Sequence, residues 1–378
     1  MKAVILLHKA PPLQALIFRL LTTHSLYLVI FFSFHFVLFT HFSLFAQTDN
    51  EYFSIVSFNV ENFFDTIPQK TKADLDFLPD GSRKWTKKRF YQKSHLLSEA
   101  ISIAGGLSWP WFVALQEIES ETALRTLLHA TNLRNASYKY IISTNHDARG
   151  IRIAFLYLEG IFRVSHTEEW QTPAPIQEPS LSSRPILYAE GKLRNDQGIG
   201  FIIVHLPSKR LANREKELFR ENALSLLKEK CDSLYTSDPH RLLIVIGDFN
   251  TALKKGGEDP LAKGFTGSSE CFSRASLYDI SNDYSNESYP GSYYFRRTWS
   301  QIDRIMLIGS ILDPKSNSTV RYIEGSFTNV ALPGRMKKLS NGRYIPLRTY
   351  GGENYLGGTS DHLPIRANFF ITREEKSK

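Results

Sequence analysis

Residues 242–250 read Leu-Leu-Ile-Val-Ile-Gly-Asp-Phe-Asn. An uninterrupted run of Leu, Ile and Val of this length predicts a strand over Leu242–Ile246 that is apolar on both faces, as a buried sheet requires. It ends in Asp248 and Asn250, which stand at i and i+2 and so share one side of an extended chain. A carboxylate beside a buried apolar run is expensive unless a partner or a metal compensates it. Gly, Asp and Asn also favour turns, so the segment taken alone reads equally as a strand end with a turn.

Working outward, the same interruption recurs. Phe53–Phe58 leads into Asn59 and Glu61, again at i and i+2; Phe112–Leu115 leads into Gln116-Glu117; Ile199–Val204 ends at His205. Asp303 opens Ile302–Ile308, and Ser360-Asp361-His362 precedes Pro364–Ile371. Ile151–Leu158 completes the predicted strands. Each interruption has a plain alternative. Asn59 and Glu61 fit a solvated strand end, His205 a satisfied structural histidine, Asp303 a partner of Arg304 or Arg296, and Ser360-Asp361 a helix cap. Those plain readings must all hold at once to remove the pattern. The simpler expectation is that the six sites converge on one edge of buried sheets.

Amphipathic helices alternate with the strands. Lys87–Ala104 follows Thr86 as a cap, stops at Gly105-Gly106, and aligns Phe90, Leu97, Ile101 and Ala104. Residues 212–235 align Phe219, Ala223, Leu227, Cys231 and Leu234. Residues 167–185, with four prolines, read as a surface excursion, and residues 313–359 as a long basic connection. Nothing splits the rest of the chain, so one α/β domain over residues 47–378 is expected.

The chain has 378 residues and a net charge of +8. Residues 1–46 carry Lys2, Lys9 and Arg19, no acid, and an apolar run from Leu26 to Phe45 ending before Ala46. That is the pattern of a signal peptide, with an uncleaved membrane anchor as its alternative. A secreted or periplasmic enzyme is expected. Mild basicity favours anionic partners without specifying them. With only Cys231 and Cys271, the chain is not a disulfide scaffold, and their pairing is open.

In order, Asn59, Gln116-Glu117, His205, Gly247-Asp248-Phe249-Asn250, Ile302-Asp303 and Ser360-Asp361-His362 resemble the motif series of the endonuclease/exonuclease/phosphatase superfamily. Asn-Val-Glu-Asn-Phe-Phe-Asp, Arg-Gly-Ile and Leu-Gly-Gly-Thr-Ser-Asp-His look like a secreted bacterial branch of it. The match spans residues 52–371. The resemblance implies a four-layered α/β sandwich of two packed mixed β-sheets with the site at one rim. It implies Mg²⁺, with Mn²⁺ as a substitute, held by Glu117 with Asn59, Glu61 and Asp361, directly or through water; oxygen donors suit such a cation. Asp248 would orient or deprotonate the attacking water, with Asn250 beside it. His362, oriented by Asp303, would bond the phosphate, and His205 would bond it or protonate the leaving oxygen. Ile203, Arg152 and Trp109-Pro-Trp111 depart from the usual motif residues and bear on substrate contacts.

The substrate expectation is nucleic acid, cleaved by a nuclease acting as a monomer without a protein partner. It rests on Lys84, Lys87, Lys88, Arg89 and Lys93 around Trp85, a run that reads more simply as a solvated helix face, and on Arg335, Lys337, Lys338, Arg343 and Arg348 near Tyr350. A phospholipid phosphodiesterase or phosphomonoesterase keeps the same centre, and a lipid enzyme would need Trp109-Pro-Trp111-Phe112 at its surface. An inactive binding relative would have lost one of the site residues, all of which are present.

Overall fold

The computed structural model describes residues 50–68, 75–180, 182–208, 214–251, 261–264 and 272–372. The leader-like residues 1–46 and Cys271 lie outside them. Ten longer strands carry the architecture: β1 (Glu51–Phe63), β2 (Phe112–Ile118), β3 (Tyr138–Ile142), β4 (Arg152–Leu158), β5 (Phe162–Trp170), β6 (Ile186–Leu193), β7 (Gly198–His205), β8 (Leu242–Asp248), β9 (Asp303–Ile308) and β10 (Ile365–Ile371). Among the described residues the longer helices are α1 (Lys87–Gly105), α2 (Glu121–His129) and α3 (Arg214–Ser237).

The strands form two seven-stranded sheets. The first runs β10-β1-β2-β4-β3, with Val320–Tyr322 and Thr328–Asn329 added on β10; the second runs β5-β6-β7-β8-β9, then Leu277–Asp279 and Lys263–Gly264. Both are mixed, because β1 pairs with β2 and β7 with β8 in parallel while most other neighbours are antiparallel.

Alternation along the strands builds the layers. Phe53 and Ile55 of β1 join the core shared with the second sheet, whereas Val56 and Phe58 join the cluster under α1 and α2. Between the sheets, Phe201 of β7 lies 4.4 Å from Phe112 and 4.8 Å from Phe155, centroid to centroid. Ala223, Leu227 and Cys231 of α3 join the core of the second sheet. The result is the four-layered α/β sandwich. Thr86 caps α1 by accepting the Arg89 N–H at 3.4 Å, and Gly106 (φ 79°) ends it.

Two expectations about irregular segments need correction. Residues 167–170 are the end of β5, whose mostly exposed, polar edge gives no clean alternation; the loop begins only after Trp170. The connection 313–359 holds several two- and three-residue strands, among them Met336–Lys338 paired with Tyr344–Pro346. Pieces that short carry no periodic signal.

Register places the site. Asn59 stands opposite Gln116 on the parallel pair β1/β2, and His205 opposite Asp248 on β7/β8. Asp303 opens β9 opposite Asp248, and β10 enters with Ile365 opposite Ser57. The carboxyl ends of four central strands and the starts of two antiparallel ones therefore meet at one rim.

Candidate active site

At that rim the backbone leaves regular geometry. Glu61 (φ 51°), Asn62 (φ 48°), Glu117 (φ 69°) and Asn250 (φ 50°) are all left-handed, and the β1/β2 register shifts between Asn59 and Phe63. Asn59 and Glu61 thus reach the same space through a bulge rather than by simple alternation, a correction to the i, i+2 argument. Such strain concentrates where side chains must be aimed. Gly247 (φ 143°) is required for another reason: a Cβ there would lie 2.0 Å from the Val204 carbonyl oxygen of the neighbouring strand.

Asn59, Glu61, Glu117, His205, Asp248, Asn250, Asp361 and His362 line one cavity of about 830 Å³. Asp303 stands behind it. Asp248 occupies the centre: its Oδ2 accepts the Asn59 amide at 3.0 Å and lies 3.6 Å from His205 Nε2 and 4.0 Å from His362 Nε2. Its Oδ1 accepts the Asn250 N–H at 2.8 Å. Burial, reinforced by the Asp303 charge, pushes Asp248 up to about 7.

The two histidines are held in opposite states. His362 Nδ1 meets Asp303 Oδ2 at 2.7 Å, and Ser292 donates to that same oxygen at 2.6 Å. Burial opposes a charge on His362, but the Asp303 carboxylate and its hydrogen bond outweigh burial and raise its pKa well above the ordinary histidine value. For His205, burial and the neighbouring Arg184 and Arg149 cations act together and hold it well below that value, so it is neutral. Its Nδ1 is buried without a hydrogen-bond partner among the described residues.

The acidic side of the cavity is also ordered. Glu117 Oε2 accepts the Asn62 N–H at 2.7 Å, and its Oε1 lies 3.9 Å from both His205 Nε2 and Arg149 Nη1. Glu61 accepts the Thr349 N–H at 2.7 Å, and Arg348 bridges Glu61 at 3.4 Å and Asp361 at 2.6 Å. Burial, then the Asp361 charge, pushes Glu61 up to about 7. Lys93 is buried beneath these groups, donating to the Glu61 carbonyl and to Thr349 Oγ1. Burial brings its ammonium down to about 8 against the pull of Glu61, Asp361 and Glu117.

Buried carboxylates and an amide, with no thiolate, make a donor set that fits a hard divalent cation at Glu117, Asn59, Glu61 and Asp361. Burial holds Glu61 above its ordinary range, a cost that a cation at this place would offset. Asp248, Asp303 and His362 also come within 4.8 Å of one another. There Asp303 Oδ2 is engaged by His362 and Ser292, while its Oδ1 is buried without a hydrogen-bond partner among the described residues, so the trio forms a hydrogen-bond relay that keeps one carboxylate oxygen open to a cation.

Several sequence readings are corrected here. Trp85 and Tyr350 are core residues, 0% and 5% exposed, and offer no stacking platform. Lys93 lies on no solvated face. Trp111 is buried and stacked on Phe53 at 4.4 Å, which removes it as a membrane-entering residue. Arg304 pairs with Asp279 rather than Asp303, and Arg335 with Glu99; of the basic loop residues, Arg348 lines the cavity.

The cavity also holds residues the motifs did not single out. Arg184 is buried and donates to Asp147 at 3.1 Å and to the Leu206 carbonyl at 3.0 Å; Arg149 meets the same Asp147 carboxylate at 3.0 Å. A hairpin of Tyr293–Phe295 and Thr298–Ser300 forms another wall, with Tyr293, Phe295 and Arg296 on the lining and the Tyr293 ring 4.6 Å from His362. Arg184 sits in Ser-Ser-Arg-Pro without periodic context, and the hairpin strands are three residues long, so only their aromatic and basic composition was a signal.

The fold recurs in solved structures. Humanized D. rerio TDP2 carrying 14 mutations aligns with a TM-score of 0.50 at 16% identity, covering 84% of this chain and 98% of that one. Truncated Caenorhabditis elegans TDP2 aligns at 0.51 and 13% identity, covering 85% and 98%. An endonuclease/exonuclease/phosphatase family protein from Bacteroides thetaiotaomicron aligns at 0.51 and 15% identity, covering 86% and 100%. No curated protein sequence matches. The family model, however, matches residues 54–372. The chain is a phosphate-ester hydrolase and belongs to the endonuclease/exonuclease/phosphatase family.

Proposed function

We propose that the chain is an exported Mg²⁺-dependent phosphodiesterase that cleaves nucleic-acid backbones as a monomer. The observation that carries the substrate is the hairpin at the cavity wall. Tyr293, Phe295 and Arg296 bring ring faces and a cation beside Asp248 and His362, and stacking plus charge is how single strands are held without sequence choice. This hairpin takes over the part that Trp85 and Tyr350 cannot play.

The protein's own groups divide the chemistry. Asp248, raised to about 7, accepts a proton from water near neutral pH, with Asn250 and Asn59 fixing its carboxylate. His362, cationic against Asp303, donates from Nε2 to an anionic phosphoryl oxygen. Neutral His205 suits a hydrogen bond to the phosphate better than proton delivery to the leaving oxygen. Arg149 and Arg184 add fixed positive charge on that side. Mg²⁺ held by Glu117, Asn59, Glu61 and Asp361 would supply neutralisation of charge on the phosphate and leaving group.

The test is an activity panel on the purified chain with DNA, RNA, sphingomyelin and phosphomonoesters. DNA or RNA should show the highest kcat/KM, and chelation should abolish it. Glu117→Gln and Asp248→Asn should each lower kcat about 10²-fold or more. Faster turnover of sphingomyelin or a phosphomonoester would replace this reading. Export is tested by the mass of the native protein, which should begin near Gln47.

A further inference from the structure

A second pocket, of about 320 Å³, adjoins the catalytic cavity and shares Glu61, Asn62, Phe295 and Arg348 with it. Its own walls are Phe77, Arg83 and Tyr350. The Arg83 guanidinium lies over the Phe77 and Tyr350 rings, 5.3 and 4.9 Å from their centroids. Nη1 donates to the Gly352 carbonyl at 2.6 Å, whereas Nε and Nη2 have no hydrogen-bond partner among the described residues.

The rings beneath Arg83 are fixed. Phe77 stacks on Phe64 at 4.3 Å, and the Tyr350 hydroxyl donates to the Arg83 carbonyl at 2.9 Å. Phe295 lines the same pocket and keeps 38% of its surface exposed, with Tyr293 stacked on it at 6.0 Å and the Arg296 guanidinium 5.4 Å from its centroid. The pocket thus offers a preset guanidinium with unspent donors and a partly open aromatic ring, one step from the reacting centre. A stacked guanidinium is held in plane and loses little freedom when it takes an anion. The matching ligand has a planar apolar face and an oxyanion several bonds apart, as the base and phosphate of a nucleotide are.

We propose that this pocket is a second subsite that holds the nucleotide next to the scissile phosphate, its phosphodiester on Arg83 and its base against Phe295. The proposal rests on the nucleic-acid reading above and adds a length requirement to it. The subsite contributes to binding and not to bond cleavage, so substrates too short to reach it lose its contribution.

The test compares single-stranded oligonucleotides of two to six nucleotides with bis(p-nitrophenyl) phosphate as a diester that cannot span both pockets. The wild-type kcat/KM should rise about tenfold once one extra nucleotide is present, as one stacked base warrants. In Arg83→Met, the ratio of kcat/KM for the longer oligonucleotides to that for the chromogenic diester should fall about tenfold. Arg83→Lys, which keeps the charge but loses the planar fork over the rings, should lower the same ratio and covers the case in which Arg83→Met fails to fold. Oligonucleotide turnover that ignores length, with ratios unchanged in the folded variants, overturns the subsite and leaves the nuclease reading standing. Turnover of the chromogenic diester with no oligonucleotide cleaved at any length overturns both.

Discussion

The Lys93 ammonium lies 2.6 Å from Thr349 Oγ1, two residues that stand 256 positions apart in the chain. Through its second bond, to the Glu61 carbonyl, the same ammonium ties α1 to the bulge of β1. Removing one partner of a buried polar network leaves the others unsatisfied, a loss of about 3 kcal/mol or more. Lys93→Met should therefore destabilise the chelator-treated protein by about that amount, with Mg²⁺ restoring part of it by replacing the lost positive charge. Denaturant unfolding in chelator and in Mg²⁺ measures both; an unchanged midpoint would count against the network.

Asp303 acts on His362 through a hydrogen bond and on Asp248 through its charge, and the first is the shorter link. Asp303→Asn and His362→Ala should each lower kcat about 10²-fold, because both remove an oriented cation from the phosphate. Residues acting as one unit are not additive. The double variant should then fall little below the worse single one in steady-state rates. A product of the two losses would mean that Asp303 acts elsewhere.

Metal and pH should be linked in a definite direction. Glu61 and Asp248 have folded pKa values raised to about 7, above their ordinary carboxylate values, so the folded metal-free protein binds more protons than the unfolded chain. Their contribution to stability declines as pH rises through about 7. His205, held below its ordinary value, acts at lower pH and does not reverse this window. A cation at the site favours the ionised carboxylates. The rise in Tm on adding Mg²⁺ should be larger at pH 8 than at pH 6, and an equal or smaller rise by calorimetry would contradict the assigned site.

Gly247 allows β8 to lie against β7 at the catalytic end. In Gly247→Ala the new Cβ would meet the Val204 carbonyl oxygen at 2.0 Å with φ at 143°. Strain and overpacking together should lower stability by about 3 kcal/mol or more. Thermal melting of the variant checks this, and a melting point near wild type would show that the strands can separate there.

How much the sequence disclosed depends on where each signal lies. Asp248 and Asn250 announce themselves because they end a run of five apolar residues; Glu117 and His205 end such runs likewise, and Asp361-His362 open one. Local contrast between a buried strand and a polar residue is visible in one dimension. Lys93 looked like a solvated helix charge because its partners come from β1 and from a loop near the other end of the chain. Trp85 and Tyr350 looked like exposed aromatics for the same reason: their burial is decided by Phe77 and by each other across the fold. The short strands within 313–359 and the hairpin at Tyr293 were hidden because two or three residues cannot express a period.

The aromatic contact between the sheets has a mechanical meaning. Asn59, Glu61 and Glu117 ride on one sheet, while His205, Asp248 and Asp303 ride on the other. Phe201 wedged against Phe112 and Phe155 sets how far apart these two half-sites are held and how they are offset. Shaving that wedge, with Phe201→Leu for example, would let the halves drift by a fraction of an ångström while each stays intact. The tolerance of the hydrolytic centre is thus machined in the hydrocarbon interior.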